Sequence, residues 1–403
     1  MKQAASQPKK VLGVSRNVFF LGWVSFLTDV SSEMIFNMLP LFLSNVLGVG
    51  TAFIGLIEGV GDSAATILKI ASGWFSDKIG KRKGVTTAGY VLSTVAKPFL
   101  YIASAGWVVL IIRVAERSGK GIRTSPRDAL VADSTSPEEM GRGFGFHRAL
   151  DTFGAVTGIV GAVAIVLLMQ KGDLLLSSNT FKMLVIIGLI PAVLAVLLLI
   201  FFVHERRAPR PKRAEIGAAA TWRGFDRRFK LFLGIIVLFT LGNSTDAFLV
   251  LRAQNIGFSV LHILLLLVLF SLVYASISYP SGILSDRLGR KRLIVVGWSM
   301  YALTYLGFAL AVAWWHVIFL FALYGLYFGM AEGATRAFVA DMVPVERRGT
   351  AYGLYHGAVG LSLLPASVIA GVLWQVISPA APFYFGAALA GAAMVGFALL
   401  IRE

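Results

Sequence analysis

Long apolar runs alternate with short polar loops along the whole chain. About twelve of the runs approach the length of about twenty residues that a helix needs to cross the hydrocarbon core of a bilayer. We number these predicted spans 1 to 12; they begin near Asn17, Thr51, Val85, Trp107, Gly143, Phe181, Phe229, Val260, Leu293, His316, Ala351 and Ala381. The pattern predicts an all-α integral membrane protein.

One polar, basic and proline-containing stretch interrupts this alternation near the middle of the chain. It divides the sequence into an N-terminal segment, residues 1–16, a first six-helix half, residues 17–204, a linker, residues 205–228, and a second six-helix half, residues 229–401. A proline-rich basic stretch of this kind is typical of a solvated connection rather than of a span.

Composition supports a membrane location and decides how the positive charge is interpreted. The 403 residues are 57% hydrophobic and 14% charged, whereas soluble proteins carry about 25% charged residues. The net charge of +16 does not indicate nucleic-acid binding, because basic residues concentrate before span 1 and after spans 2, 6, 8 and 10. This bias predicts that both termini and the linker face the cytoplasm. We therefore expect a multi-pass protein of a bacterial or archaeal cytoplasmic membrane.

Enzymatic chemistry finds little support in the residues. The chain has no cysteine, so neither disulfide nor thiolate chemistry is available. Gly80-Lys81 and Gly119-Lys120 lack the upstream glycine of a phosphate-binding loop, and no zinc-type ligand spacing occurs. We expect neither an enzyme nor a bound cofactor or metal.

Two short loops match each other at equivalent places in the two halves. The first contains Gly73, Asp77, Gly80, Lys81 and Arg82, and the second contains Gly282, Asp286, Gly289, Arg290 and Lys291. Each follows the pattern G-x-x-x-D-[RK]-x-G-[RK]-[RK] at the end of an apolar run. The simple alternative is that each loop only stops a span and fixes topology.

This pair of loops resembles the loops between helices 2 and 3 and between helices 8 and 9 of the major facilitator superfamily. The resemblance extends over nearly the whole chain and is nearest to prokaryotic members of unknown substrate. It implies twelve transmembrane helices in two pseudo-symmetric six-helix halves. It also implies that the two loops hold the halves together on the cytoplasmic side and time a conformational switch.

The repeat continues beyond these loops. Ala129-Leu-Val-Ala-Asp133 recurs within residues 336–341, and the same register matches Gly145 to Gly353 and Arg148 to His356. Gly154-x-x-x-Gly158 resembles the antiporter motif of helix 5, but Ala155 and Ile159 replace its proline and its last glycine. Export by antiport therefore stays open with weak support.

Predicted span 4 is the most charged apolar segment. Its charged residues fall within an arc of roughly 140° at helical spacing; they are Arg113, Glu116, Arg117, Lys120, Arg123, Arg127 and Asp128. A charge at the bilayer centre costs at least about 2.5 kcal/mol, so these side chains must line water or pair with neighbours.

Further ionisable and polar residues lie in the other predicted spans. Candidate substrate ligands are Asn37, Arg113, Arg117, Lys120, Arg123, Arg148, Asn243, Tyr274, Tyr355 and His356. Candidate proton-coupling groups are Asp29, Glu33, Glu58, Asp62, Asp151 and Glu332. Arginine offers paired donors to a carboxylate or phosphate, and a desolvated carboxylate can exchange protons. The alternative is that these charges only pair with one another, as Glu332 and Arg336 can at i,i+4.

These observations predict a secondary active transporter that moves a small polar, anionic solute by alternating access, coupled to protons. Two alternatives remain open: a proton-coupled multidrug or toxic-compound exporter, and a membrane receptor or scaffold that transports nothing. The expected partners are a small-molecule substrate and the lipid bilayer, without nucleic acid, and we expect the protein to act as a monomer.

Overall fold

The structure is a computed structural model that describes residues 10–136, 139–170, 172–205, 224–344 and 347–401, without the side chains of Tyr279 and Asp286. Most of the predicted N-terminal segment and of the predicted basic linker therefore lies outside the described residues, as does the side chain of the predicted gating residue Asp286.

A small hairpin precedes the first span, which the all-α prediction did not include. Strands β1 (Lys10–Val11) and β2 (Val14–Ser15) pair antiparallel. Leu12 and Gly13 between them both have positive φ, 51° and 78°, as a two-residue type I′ turn requires. Ser15 then caps the first helix by accepting a hydrogen bond from the backbone N–H of Val18 at 3.4 Å.

Six spans form the first half, and each begins within three residues of its predicted start. They are span 1 (Arg16–Val46), span 2 (Thr51–Ile79), span 3 (Arg82–Ala96, continued by Phe99–Ile102), span 4 (Gly106–Asp133), span 5 (Met140–Met169) and span 6 (Ser178–Phe202).

Six spans form the second half, and each again begins within three residues of its predicted start. They are span 7 (Arg227–Gly242 and Ala247–Asn255), span 8 (Val260–Leu288), span 9 (Arg290–Leu310), span 10 (Trp314–Asp341), span 11 (Arg348–Val376) and span 12 (Ala381–Leu400). The prediction of an all-helical twelve-span bundle is confirmed.

Spans 3 and 4 differ from the rest in polarity. Ten helical segments of the described chain are long and apolar enough to cross a membrane, and these two are not among them. They nevertheless pack within the bundle. Gly89 of span 3 and Gly119 of span 4 approach each other so closely that a Cβ at either position would lie within 2.7 Å of the backbone of the other span. Burial among other spans lets a helix with many charges remain in the bundle.

The first span of each half is broken at a corresponding place. In span 1 the α-helix ends at Phe36 with Asn37 as its C-cap, and Leu39–Leu41 and a π-helical turn at Phe42–Val46 complete the span. In span 7 the helix ends at Gly242 with Asn243 as its C-cap and resumes at Ala247. Broken helices leave backbone groups free to face a cavity, and transporters place their sites at such breaks.

The two halves touch most closely along spans 2 and 11, on one side of the bundle. We call the side where span 1 begins the terminal side and the other the opposite side. Near the opposite side, Thr51 Oγ1 donates to the carbonyl oxygen of Gly371 at 3.1 Å and Ser63 Oγ donates to that of Gly360 at 2.7 Å. A Cβ at Gly55 would lie 2.1 Å from the carbonyl oxygen of Ser367. Only glycine at position 55 allows spans 2 and 11 to come this close. We call this close contact between the two spans the seal on the opposite side.

Candidate functional site: the central cavity

A cavity of about 560 Å³ lies between the two halves. Spans 1, 2, 4 and 5 supply one wall, which carries most of the ionisable side chains. Spans 7, 8 and 10, with one residue of span 11, supply the facing wall, which combines four aromatic rings with small polar and apolar side chains. Among the described residues, eight carboxylates and four basic side chains line the cavity: Asp29, Glu33, Glu58, Asp62, Glu116, Asp151, Asp246 and Glu332 with Arg113, Arg117, Lys120 and Arg148.

Both arginines of span 4 that line the cavity are held in ion pairs. Arg113 contacts Glu58 of span 2 at 2.7 Å and Glu116 at 3.1 Å, and all three side chains are at most 4% exposed. Arg117 contacts Asp62 of span 2 at 3.1 Å and is more accessible, with 21% of its side chain exposed. Removing one partner of a buried pair leaves an uncompensated charge, so these pairs fix span 4 against span 2.

Lys120 differs from these arginines. Its exposed side chain lines the cavity, and among the described residues it takes part in no ion pair. The charged groups that act on it include Arg117, Asp29 and Glu116. Lys120 is therefore a cation that remains available to a solute.

Asp29 and Asp151 form a carboxyl pair between spans 1 and 5. The two carboxyl groups act strongly on each other, and a hydrogen bond between them would need a proton on one of them, because an ionised carboxylate only accepts. Asp151 also accepts from Ser25 Oγ at 2.6 Å and from Arg148 at 3.2 Å. Two adjacent carboxyl groups that share one proton are a suitable place for proton exchange.

Arg148 connects this pair to the second half. It donates to the hydroxyl of Tyr274 in span 8 at 3.2 Å, and that hydroxyl donates to Glu332 in span 10 at 3.0 Å. Glu332 also pairs with Arg336 at 2.5 Å, as its i,i+4 spacing predicts. A second cavity of about 410 Å³ lies on the terminal side of this chain and shares its residues. This hydrogen-bonded chain therefore lies between the central cavity and the second cavity.

The facing wall contains a cluster of four aromatic rings. Its four rings, Phe270, Tyr274, Tyr324 and Phe328, lie with centroids 5.4 to 6.2 Å apart. The hydroxyl of Tyr324 donates to Asp246 at 2.6 Å. Aromatic faces offer both apolar area and a partial negative charge toward cations.

Most of the predicted ligands meet at this cavity. Those that line it are Asn37, Arg113, Arg117, Lys120, Arg148, Asn243 and Tyr274, with the carboxylates Asp29, Glu33, Glu58, Asp62, Asp151 and Glu332. Within the described ranges, no group of three or more metal-binding side chains is close enough to hold an ion.

Three predicted substrate ligands lie elsewhere. Arg123 turns away from the cavity toward span 3, where it donates to Ser93 Oγ at 2.8 Å and its guanidinium lies 4.6 Å from the ring centre of Tyr90. Tyr355 and His356 contact each other edge to face at 5.1 Å and line neither cavity described above. Arg123 sits at the edge of the polar arc of span 4, where the packing of span 3 decides its direction.

The two matching loops use their basic residues alike, with a difference of one position. Arg82 pairs with Asp133 at the end of span 4 and contacts Asp77 at 3.0 Å. Arg290 pairs with Asp341 at the end of span 10. In the first loop, the second basic residue after the glycine, Arg82, pairs with the carboxylate at the end of span 4. In the second loop, the basic residue directly after the glycine, Arg290, pairs with the carboxylate at the end of span 10.

Three carboxylates, Asp133, Asp341 and Asp246, were absent from the predicted sites, whereas Asp77 was among them. Asp133 and Asp341 end the two copies of the Ala-Asp repeat, so the repeat itself held a signal for them. Asp246 lies just after the break in span 7, a feature that hydrophobicity alone does not reveal.

Comparisons with known proteins agree with this architecture. The sequence profile of the Major Facilitator Superfamily matches residues 21–259 and 231–403. An uncharacterised MFS-type transporter of Methanocaldococcus jannaschii is 37% identical over 383 residues, covering 94% of this chain and 93% of that protein. An uncharacterised protein of Mycobacterium tuberculosis is 29% identical over 379 residues, covering 91% of this chain and 89% of that protein.

Solved structures share the fold at low sequence identity. The nucleoside transporter NupG matches with a TM-score of 0.79 and 14% identity, covering 96% of this chain and 99% of that one. A D-xylose–proton symporter matches with a TM-score of 0.76 and 16% identity, covering 96% of this chain and 97% of that one. These likenesses concern the fold of the two proteins alone.

Proposed function

The chain belongs to the major facilitator superfamily, a family of secondary transporters, and from this premise we propose that it moves a small polar solute with an anionic group through the central cavity, coupled to protons. The protein is a multi-pass integral membrane protein and not an enzyme.

Lys120 is the observation that carries the anionic part of the proposal. A cation inside the membrane costs at least about 2.5 kcal/mol, and the other lining cations offset that cost with carboxylate partners. Lys120 instead faces the cavity without an ion pair in the described part of the chain. An anionic group of the solute would supply the missing partner, with Arg117 beside it.

The Asp29–Asp151 pair supports coupling to protons. Loss of the shared proton would leave two adjacent negative charges, and Arg148 would then be drawn toward Asp151 and away from Tyr274. Because Arg148 and Tyr274 belong to different halves, the protonation of the pair would change how firmly the halves hold on the terminal side. Solute binding at Lys120, which lies near Asp29, would in turn affect the pair.

We place the protein in a bacterial or archaeal cytoplasmic membrane with its terminal side in the cytoplasm, as the distribution of basic loop residues favours. With this orientation, the seal between spans 2 and 11 lies on the outer side, so that solute exchanges with the cytoplasm in this conformation. We further propose that one chain suffices, since one chain forms the whole cavity.

Transport in proteoliposomes tests the proposal. We expect a pH-sensitive dye to report proton movement that depends on an anionic solute from a broad panel, and Lys120→Gln to abolish it. Lys182→Gln is the matched control, because Lys182 lies outside the cavity over the ring of Tyr101, 5.3 Å from its centre. Normal anion transport by Lys120→Gln would refute the anionic proposal.

The carboxyl pair is tested in the same assay. Asp29→Asn and Asp151→Asn should each uncouple solute movement from proton movement, because an amide cannot exchange the shared proton. Asp173→Asn, on an exposed loop of the opposite side, should behave like the unaltered protein. Proton movement that persists in both pair variants would contradict coupling at this site.

A proton-coupled exporter of cationic compounds is a second candidate, favoured by the excess of carboxylates over basic groups around the cavity. Transport of organic cations that survives Lys120→Gln would favour it. Absence of solute-dependent proton movement across the whole panel would favour a receptor or scaffold.

A further inference from the structure

The unpaired carboxylates and the aromatic wall point to a second group on the solute. We infer that the solute is amphoteric: besides the anionic group at Lys120 it carries a protonated amine, which binds between Asp246, Glu33 and the ring of Tyr324. The inference rests on the proposed function and narrows it to a substrate class.

Asp246 is placed to receive such an amine. It follows the break in span 7, has an exposed side chain and lines the cavity, so its exposure is to the cavity. One oxygen accepts the hydroxyl of Tyr324 at 2.6 Å, and no ion pair involves Asp246 in the described residues. Asp62, Glu33 and Arg117 are the charged groups of the other half that act on it. Asp246 therefore has a free oxygen and no cation of its own.

Glu33 faces Asp246 from the first half and is likewise without a cation. Its carboxylate accepts from the side chain of Asn37 at 3.0 Å, and no ion pair involves it in the part of the chain described. Glu58, only 3% exposed and lining the same cavity, retains Oε1 without a hydrogen-bond partner. Acceptors thus exceed donors on this side of the cavity.

The charge balance of the cavity gives an independent reason for an amine. Three of the four lining cations, Arg113, Arg117 and Arg148, are already paired with carboxylates. A solute that is only anionic would add to the negative surplus, even with a proton shared by Asp29 and Asp151. A solute that brings one positive and one negative group would leave the net charge unchanged and satisfy both Lys120 and Asp246.

The aromatic wall suits the amine end of the solute. Tyr324 bonds to Asp246 and lies 5.4 Å from Phe270 and 5.6 Å from Phe328 between ring centres. A protonated amine near Asp246 would therefore also meet ring faces, which attract cations. The cavity of about 560 Å³ is within the range of small-molecule sites.

Binding of matched compounds to the purified full chain tests the inference. The probes are three trios, each with an amphoteric compound, its amine-free acid and its acid-free amine. They are phenylalanine, 3-phenylpropionate and 2-phenylethylamine; leucine, 4-methylpentanoate and 3-methylbutylamine; and 4-aminobutyrate, butyrate and propylamine. We expect the amphoteric member of at least one trio to bind roughly ten-fold or more tighter than both of its partners, as hydrogen bonds to charged groups allow.

Asp246→Asn and Lys120→Gln then assign the two ends of the solute. Asp246→Asn should remove the preference for the amphoteric compound over its amine-free acid, and Lys120→Gln should remove its preference over the acid-free amine. Asp173→Asn should change neither preference. A variant is folded if its size-exclusion elution matches that of the unaltered protein. If Asp246→Asn is not folded, Glu33→Gln takes its place, because we expect the same loss of preference from it.

The outcomes separate this inference from the proposed function. If the amine-free acid binds as tightly as the amphoteric compound, the inference is overturned and the anionic proposal stands. If the acid-free amine binds as tightly, the anionic group is unnecessary, which overturns the proposed function and the amphoteric assignment together. If no amphoteric compound in the three trios is preferred, or if Asp246→Asn leaves the preference intact, the inference is wrong.

Discussion

Spans 4 and 10 occupy the same place in the two halves, yet they line the cavity with opposite kinds of side chain. In the register of the sequence repeat, Glu116 matches Tyr324 and Lys120 matches Phe328, and all four residues line the cavity. Span 4 presents charges there, whereas span 10 presents rings.

The contrast shows that one helical scaffold supports two ways of building a cavity wall. Charges in a medium of low dielectric constant need partners, so span 4 is tied by ion pairs to span 2. Rings need only close packing, so span 10 fits its neighbours by shape. The first half can therefore hold ions and protons, while the second half mainly supplies shape together with the carboxylates Asp246 and Glu332.

The largest expected effect compares a buried residue of span 4 with the buried residue at the matching position of span 10. Arg113→Met leaves Glu58 and Glu116 buried without a cation, and we expect a loss of about 3–5 kcal/mol in the free energy of unfolding. Phe321→Met, at the matching position of span 10, replaces one buried apolar side chain with a somewhat smaller one and should cost about 1–2 kcal/mol. Unfolding of the purified proteins measures both. Equal losses would mean that the ion pairs contribute no more than packing does.

The next effect concerns spans 2 and 11, where the two halves meet. A Cβ at Gly371 would lie 2.4 Å from the carbonyl oxygen of Thr51, whereas nothing lies within 4 Å of one at Gly357. We expect Gly371→Ala to disfavour the closed opposite side by about 1–3 kcal/mol, and Gly357→Ala to leave it unchanged.

Cross-linking measures that closure in a chain that has no native cysteine. Cysteines introduced at positions 52 and 375, whose residues are joined by a hydrogen bond of 3.2 Å, should cross-link less in the Gly371→Ala background than in the Gly357→Ala background. Equal cross-linking would show that the close approach does not hold the halves together.

The smallest expected effect concerns the two matching loops, where the two halves are most alike. Arg82→Gln and Arg290→Gln each remove the ion pair to Asp133 or Asp341, and such partly exposed pairs contribute up to about 1 kcal/mol. Since the two loops are similar, we expect similar reductions in transport rate in proteoliposomes. If only one of the two variants had a reduced transport rate, the two loops would differ in function, just as the two cavity walls differ in charge.

The sequence was most informative about the spans and least informative about side-chain direction. All twelve starts were predicted within three residues, because apolar length is a local property of the chain. The place of Arg123 was not predicted, because span 4 has neighbours on two sides and the arc of its charges borders both. Asp246 was overlooked as a ligand because a break in span 7 turns it to the cavity.

Local sequence was sufficient for the number of spans, the duplication of the halves and the concentration of charge in the first half, since each follows from hydrophobicity and spacing along one segment. The partner of each charge was not accessible in this way. Glu58 and Arg113 are 55 positions apart, and Arg148 and Tyr274 are 126 apart. Which of these groups meet depends on how whole helices pack. Among the described residues, this packing leaves Lys120 and Asp246 at the cavity without an ion pair, while it buries Arg113 between two carboxylates.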